Sequence, residues 1–451
     1  MLFRSLGLSH AQQQPPVGVP VPPLGAGPWV FDTAEQHKVR VSVVTRGLSQ
    51  PWAIAFLPDG GMLVTERPGR LRVVRDGVLD PHAISGVPEV RTDGNGGLMD
   101  VALHPNFSEN GLVYLTYTKP VENGWGAPAL AVGRLEAGAL TEVRDLVVTE
   151  AYEGNSGLKG RVVFGRDGKL YMSKGNSKGL TQPGRLAPKQ FRELWGVESP
   201  KNSPDLPTAE RFTAANYRKS YHNPADDWGR EGGVLRCDPM GGNLEIISRG
   251  FRNPWDMAMD DGFNFIGTDN DQNEGDKIFM PFYGAHFGWG HTWSYNWTDA
   301  SHLPTAPHSG PFFHGSGTGV IHYSLNKFPE KYRNVFFIND WGRKCTYVMR
   351  NRWDGALLRS VTGDEPLEIF ADANNSLYKP TDIEIGPDGA LWVLGWGDEY
   401  GVKWNGDPKL ETKPTKAVSS ASGTGTTRRT GERNGAWPSA ANQSTHGRPA
   451  S

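Results

Sequence analysis

The stretch Ala53-Ile54-Ala55-Phe56, Leu57-Pro58-Asp59-Gly60, Met62-Leu63-Val64-Thr65-Glu66 decides the fold. It is an apolar run, a Pro-Asp-Gly turn, and a second apolar run that closes in polar residues. Asp-Gly supplies the positive φ that a tight hairpin demands. The nearly continuous apolar character of both arms suits strands covered on both faces. The phrase returns as Asp100-Val101-Ala102-Leu103 to Leu115-Thr116-Tyr117, Arg161-Val162-Val163-Phe164 to Met172-Ser173-Lys174, and Asp256-Met257-Ala258-Met259 to Gly267-Thr268-Asp269. It returns more weakly in Gly319–Tyr323 to Val335–Asp340, and clearly in Asp382-Ile383-Glu384-Ile385 to Leu394-Gly395-Trp396.

The turn centres fall near residues 59, 106, 167, 261, 330 and 388, at intervals of 47 to 94 residues. The shortest interval is the size of one four-stranded propeller blade. The pattern therefore predicts an all-β, six-bladed β-propeller. Two stacked β-sandwiches are the alternative, but a sandwich does not require its hairpins to repeat one phrase. The longest interval predicts an insertion over about 178–231, a stretch rich in Pro, Lys and Arg without strand alternation. Residues 1–28 read as a flexible leader and 29–407 as the propeller. Residues 408–451, rich in Ser, Thr, Gly and Arg, read as a disordered tail.

Composition agrees with this reading. The 451 residues include 57 glycines, 34 prolines, 15 Trp, 19 Phe and 13 Tyr, which fits strands and tight turns rather than a helix bundle. A net charge of −2 offers no basic excess for nucleic acid or an anionic membrane, so no nucleic-acid partner is expected. Cys237 and Cys345 stand 108 positions apart with no C-x-x-C, which speaks against a cysteine zinc site and favours two separate thiols. No apolar run is long enough for a transmembrane segment. Met1–Ala11 has one basic residue, a short apolar stretch and a small-x-small ending, the pattern of a truncated signal peptide. A periplasmic or secreted protein is the expectation.

In a propeller the equivalent strand ends converge on one mouth. The polar residues closing each second strand then become neighbours: Glu66, Lys174 with Asn176, Asp269 with Asp271, Asp340, and Asp398. The densest polar segment is Gly267–Asp276. Its Asp269, Asp271, Glu274 and Asp276 are candidate ligands for a hard cation such as Ca²⁺, or members of an Asx-rich turn that satisfies its own backbone. Arg252-Asn253 could grip a carboxylate or a quinone oxygen by a charge-assisted fork, or form a structural ion pair. Six histidines, from His286 to His322, are interleaved with aromatics such as Phe287, Trp289 and Trp293. They read as loop histidines in an aromatic wall suited to sugar faces.

These phrases, in this order, resemble the soluble quinoprotein glucose/sorbosone dehydrogenase family. The carrying stretches are Gln50-Pro51-Trp52 through Leu71, Gly94-Asn95-Gly96-Gly97-Leu98, Gly160–Gly165, Arg252-Asn253-Pro254, Asp276-Lys277-Ile278 and Gly284–Trp289. Met172–Gly179, Gly267–Gln272 and Phe337-Ile338-Asn339-Asp340-Trp341 look like the putative membrane-bound dehydrogenase group within that likeness. The resemblance implies a six-bladed propeller that oxidises a sugar or other alcohol with pyrroloquinoline quinone (PQQ) and Ca²⁺. A cytochrome or quinone would accept the electrons. It implies cofactor contacts from Arg252 and Asn253, from Asn95 in place of a Gln, and from the blade-end residues Arg161, Lys174 and Asn176. The family's catalytic His and its orienting Asp fall at Gly157 and Asn176, so both halves of that base dyad are missing. Asp271, Asp340 and His286 are the candidate replacement bases. Two other classes fit the same mouth: a non-catalytic propeller that binds glycans or partners, and a calcium-dependent hydrolase or lactonase.

Overall fold

The computed structural model describes residues 27–31, 39–92, 96–149, 160–175, 232–270, 276–287, 306–311, 315–372, 379–396 and 416–422. The expected insertion over 178–231 and most of the expected leader and tail lie outside these residues.

The repeated phrase folds as a hairpin. In its first copy Gly60 takes a φ of +84°, its N–H donates to the Leu57 carbonyl at 3.0 Å, and Asp59 Oδ1 accepts the Gly61 N–H at 2.9 Å. The same Asp-Gly arrangement recurs at Asp167-Gly168 and Asp388-Gly389. The second strands Met62–Glu66, Leu170–Lys174, Phe265–Asp269 and Val335–Asp340 are buried along their whole length. That explains why they read as continuous apolar runs.

Six sheets result, antiparallel except at the edge of sheet three, numbered here by chain order of their innermost strands. Sheet one runs Pro51–Phe56, Met62–Glu66, Arg70–Arg75, Val78–Leu79. Sheet two runs Leu98–Leu103, Leu112–Pro120, Gly126–Glu136, Ala139–Val148. Sheet three runs Val162–Phe164, Leu170–Lys174, Gly232–Cys237, Glu245–Phe251, with Ala285–His286 at its edge. Sheet four holds Pro254–Met259, Phe265–Asp269 and Lys277–Phe279. Sheet five holds Gly317–Tyr323, Val335–Asp340, Cys345–Asp354, Leu357–Ser360 and Glu368–Asp372. Sheet six runs Pro380–Ile385, Leu391–Gly395, Lys416–Ser422, Val39–Leu48, Trp29–Phe31.

The fold is an all-β propeller, but the expectation of six blades is corrected. Among the described residues five sheets are complete blades of four or five strands, and sheet four has only three. The reason is local. After Lys277–Phe279 the chain turns at Gly284 (φ +80°), and Ala285–His286 pairs in parallel with Ser248 and Arg249 of sheet three instead of completing sheet four. Sheet six also departs from expectation. Its strand Lys416–Ser422 comes from the stretch expected to be a tail, and it pairs with Val39–Leu48 on one side and Leu391–Gly395 on the other. Strands from both ends of the described chain therefore share one sheet and close the ring.

Neighbouring sheets touch in order around that ring, from one to six and back to one. Side-chain hydroxyls fasten each junction. Thr65 donates to the Met99 carbonyl, Thr116 to Gly160 (2.6 Å), Ser173 to Pro254 (3.2 Å), Thr268 to Thr318 (3.0 Å), Thr318 to Pro380 (2.6 Å) and Thr381 to Pro51 (3.1 Å).

On the axis lies a second, ionic fastening. Asp100, Asp256 and Asp382 occupy matching positions on the first strands of sheets two, four and six. Each accepts the N–H of its own following residue and that of the next sheet: Val101 and Val162, Met257 and Val320, Ile383 and Ile54. Arg161, from sheet three, sits among them. It meets Asp100 at 3.0 Å, Asp256 at 2.9 Å, and Asp382. All four side chains are at most 7% exposed. Arg161→Met would strand three buried carboxylates. Removing one partner from a buried ion pair costs about 3–5 kcal/mol, so the unfolding free energy of this variant should fall by that order and its urea midpoint with it. The carboxylates would then ionise less readily, so part of the loss should return on acidification. A midpoint equal to that of the unmodified protein would contradict the axial arrangement.

Candidate functional site

First strands start, and second strands finish, at the same end of the ring. That end, the mouth, carries the polar residues that close the repeated phrase. Glu66, Lys174, Asp269 and Asp340 stand at the ends of the second strands of sheets one, three, four and five, and none is more than 1% exposed. Beneath them Trp52 and Trp255 stack at 4.3 Å between ring centroids with planes 10° apart, and Trp396 meets Trp52 edge-on at 6.0 Å. Sheets one and four are opposite in the ring, so the stack spans the axis and forms an apolar floor under the mouth.

Sheet four braces the Arg252-Asn253 pair. Asp269 Oδ1 accepts the Asn253 N–H at 2.6 Å and Oδ2 accepts the Arg252 N–H at 3.2 Å. The Arg252 guanidinium donates through Nη1 to the Asn270 carbonyl at 2.8 Å, and the Asn270 N–H donates back to the Asn253 carbonyl at 3.1 Å. Arg252 is half-buried, whereas Asn253 and Asn270 are each 6% exposed. The Oδ1 atoms of Asn253 and Asn270 have no hydrogen-bond partner among the described residues. Two buried oxygens left open beside a guanidinium suit a ligand with a cation or hydrogen-bond donors.

Asp276 and Asp340 are brought together by the segment that enters sheet five. Asp276 Oδ2 accepts the Gly317 N–H at 3.3 Å, and Asp340 Oδ1 accepts the N–H groups of Ser316 (3.0 Å) and Arg343 (2.8 Å). Asp340 Oδ2 is buried without a hydrogen-bond partner among the described residues. Burial pushes the Asp340 carboxyl above its ordinary value, opposed by the Arg343 and Ser316 N–H groups. Trp341 follows it, with the Lys379 ammonium 4.3 Å above its ring. Glu66 is held by Arg70 (2.6 Å) and Arg72 (3.3 Å).

The sequence candidates therefore separate. Lys174, Arg252, Asn253, Asp269, Asp276 and Asp340 lie at the mouth. Arg161 lies on the axis with its guanidinium engaged by three aspartates. The backbone of His286 is in the outermost strand of sheet three, far from the first strands. Asn95, Asn176, Asp271 and Glu274 fall outside the described residues, as does Gly157. Among the described residues no group of three or more His, Cys, Asp or Glu side chains is arranged to hold a metal ion. Cys237 and Cys345 are separate buried thiols, pushed up by burial to about 11 and about 12. Asn270 was not singled out in the sequence, although it sits inside the polar run Gly267–Asp276. The signal was its place directly after a strand-closing Asp.

Comparison with known proteins shows what the chain is similar to. The glucose / sorbosone dehydrogenase family model matches residues 48–190, and a domain of unknown function, DUF7133, matches residues 212–400. The aldose sugar dehydrogenase YliI of Escherichia coli K12 is 29% identical over 375 residues, which is 79% of this chain and 90% of that protein. Quinoprotein glucose dehydrogenase B of Acinetobacter calcoaceticus is 23% identical over 274 residues, 58% of this chain and 54% of that one. Among solved structures, the soluble aldose sugar dehydrogenase of Escherichia coli in its apo form superposes with a TM-score of 0.62 at 24% identity, covering 86% of this chain and all of that one (100%). The PQQ-bound aldose sugar dehydrogenase of Streptomyces coelicolor gives 0.56 at 18% identity, covering 85% and 98%. The chain is thus similar to glucose and aldose sugar dehydrogenases and shares their β-propeller fold. Among the described residues no helix is long and apolar enough to cross a membrane.

Asp269 is the strut of the Arg252-Asn253 turn. In Asp269→Ala the buried Asn253 N–H loses its acceptor, at about 1–3 kcal/mol, and the part-buried Arg252 N–H loses its acceptor at less. Thermal unfolding should show that loss, with Asp269→Asn between the two because one oxygen remains. Equal stability of all three proteins would remove Asp269 from this role.

Proposed function

We propose that the mouth is the site of a PQQ-type oxidoreductase that oxidises a sugar or other alcohol. The observation that carries this reading is Asp340: a carboxyl buried at the mouth, raised by burial, with Oδ2 left open. Oxidation of a hydroxyl-bearing carbon requires a base for the hydroxyl proton. Asp340 takes that role here, where the resembling family uses a His–Asp dyad that this chain lacks at Gly157 and Asn176. Asp271 and His286 are the weaker alternatives, one outside the described residues and the other on a peripheral strand.

The side chains at the mouth fit the cofactor. Arg252 and Lys174 would hold its carboxylates by charge-assisted bonds, and the Asn253 amide and Asn95 would meet its remaining polar atoms. When bound, PQQ supplies the two-electron acceptor. The open oxygens of Asn253 and Asn270 are hard donors of the type Ca²⁺ prefers. The loop bearing Asp269, Asp271, Glu274 and Asp276 is the proposed place for that ion. The Trp52–Trp255 floor excludes water from beneath, which strengthens every charge interaction above it. Electrons would leave to a soluble cytochrome or quinone. The Met1–Ala11 pattern supports a periplasmic or secreted location, and Phe337–Trp341 supports the likeness to the putative membrane-bound dehydrogenase group.

A second reading, a propeller that binds glycans without turnover, is favoured by one observation: the missing dyad at Gly157 and Asn176. The two readings part on reconstitution. Purified protein mixed with PQQ and Ca²⁺ should take up the quinone, shown by its absorbance after gel filtration, and reduce a dye when supplied with an aldose. Arg252→Ala should weaken quinone uptake. Asp340→Asn should retain uptake and lose about a hundred- to ten-thousand-fold in dye reduction. The unmodified rate should climb as pH rises through the raised Asp340 value, because the base must be ionised. Uptake without turnover for any aldose would select the glycan-binding reading. No uptake at saturating PQQ would end the first.

A further inference from the structure

Two glycines enclose Asp340 at positions whose backbone conformation does not call for glycine. Neither Gly315 nor Gly342 has the positive φ that would reserve its place for that residue. The requirement is one of space. A Cβ built on Gly315 would lie 2.0 Å from Asp340 Oδ1, 2.0 Å from Oδ2 and 2.3 Å from Cγ. One built on Gly342 would lie 2.9 Å from the Gly315 carbonyl carbon and 3.0 Å from its Cα. Gly342 therefore supports Gly315, and Gly315 covers the carboxyl.

The three distances at Gly315 locate its contact. They are those of the open fork between the two carboxyl oxygens, where a bidentate partner such as a guanidinium or a pair of hydroxyls would bind. The Gly315 hydrogen that stands in place of the Cβ points into that fork, placed for a weak Cα–H···O contact with both oxygens. The entry to sheet five fixes this arrangement. The Trp341 N–H donates to the Ser316 carbonyl at 2.8 Å, and Gly317 pairs with Asp340 in the strand register.

A count of acceptor directions shows what is left. An ionised carboxylate offers about four lone-pair sites, two on each oxygen. Oδ1 takes the Ser316 N–H at 3.0 Å and the Arg343 N–H at 2.8 Å. The inner side of Oδ2 faces the fork that Gly315 fills. Only the outer side of Oδ2 remains, and that oxygen is buried with no hydrogen-bond partner among the described residues. A fork closed by carbon rather than by water also suits the raised proton affinity of this carboxyl. Burial is its largest cause, opposed by the Arg343, Ser316 and Gly342 N–H groups.

We infer that Gly315 is a positioning residue for Asp340: its Cα closes the carboxyl fork, so that Asp340 meets one hydroxyl of a ligand, through the outer side of Oδ2, and not two neighbouring hydroxyls at once. This rests on the mouth being the site of the oxidoreductase proposed above. A base for one hydroxyl proton needs a single, fixed line of approach. A carboxylate that clamps a pair of adjacent sugar hydroxyls needs both oxygens free. The glycine serves the first arrangement and prevents the second. Any side chain at 315 would enter the fork and push the carboxyl from its place.

The contact is tested without cofactor by a double-mutant cycle in thermal unfolding of the full chain, with Gly315→Ala, Asp340→Ala and the double variant. In the unmodified background the new methyl meets the carboxyl, and the Tm should fall. In the Asp340→Ala background the carboxyl is gone, and the same methyl should lower the Tm far less. If Gly315→Ala alone does not fold, folding of the double variant gives the same answer. Equal losses in both backgrounds, or a double variant that does not fold, would overturn the inference. The role is tested on protein loaded with PQQ and Ca²⁺, by dye reduction with glucose, galactose and xylose. Gly315→Ala should keep quinone uptake and lower kcat, and should lower it no further in the Asp340→Asn background. An unchanged kcat, or uptake lost in parallel, would remove the positioning role. If the unmodified protein oxidises none of these sugars, the proposed function fails while the thermal cycle still decides the contact.

Discussion

The contact on which the rest of this propeller depends is the grip of Arg161 on Asp100, Asp256 and Asp382. A ring of sheets divides its apolar packing among the interfaces between neighbours, and at the level of the aspartates the centre is held by charge. Desolvating four charged groups there is expensive. The expense is offset because each aspartate also ties its own sheet to the next through backbone N–H groups. Only a planar guanidinium, with five donors in a fixed fork, reaches three carboxylates at once. A lysine at 161 would satisfy one or two and leave the third exposed to its neighbours.

Above this ionic layer the hydroxyls of Thr65, Thr116, Ser173, Thr268, Thr318 and Thr381 repeat the same logic with neutral groups. Each crosses one junction to a carbonyl of the next first strand. Two stacked fastenings of different chemistry set the angular spacing of the sheets. Once that spacing is fixed, the residues one position beyond these hydroxyls, Glu66, Lys174 and Asp269, must arrive at the same level around the mouth. The site is therefore a consequence of the frame: side chains more than two hundred residues apart converge because their strands have equivalent places in a ring.

Much of this was legible in the sequence. The recurring hairpin phrase announced a propeller, and its polar endings announced the mouth. The count of full blades was not legible, because Lys277–Phe279 and Ala285–His286 read as one aromatic-rich stretch. Whether Ala285–His286 completes sheet four or joins sheet three depends on tertiary pairing that no local pattern specifies. The strand Lys416–Ser422 was hidden for a related reason. Its Ser- and Ala-rich composition lacks apolar alternation, and it is a strand only because both neighbours in sheet six offer it a ladder. Arg161 was read as a cofactor contact because its phrase resembles one. The clue to its axial place was present but unread: three of the six phrases open on an Asp, and the phrase between the first two of these opens on Arg161.

The mouth residues differ in how far they serve this frame. A frame held by buried charges at the axis leaves the mouth residues only part of the fold's stability to supply. Asp269 and Asp276 still brace backbone N–H groups, and Glu66 is bound by two arginines, so these three are partly structural. Asp340 is different. One of its oxygens secures the entry to sheet five through Ser316 and Arg343, which fixes the carboxyl in space. The other is buried and open. A carboxyl held by one oxygen, with the second buried and without a hydrogen-bond partner among the described residues, has a fixed geometry and a raised proton affinity. The proposed placement of a base on sheet five would need no change of fold, because a ring of equivalent strand ends brings several sheets to one mouth.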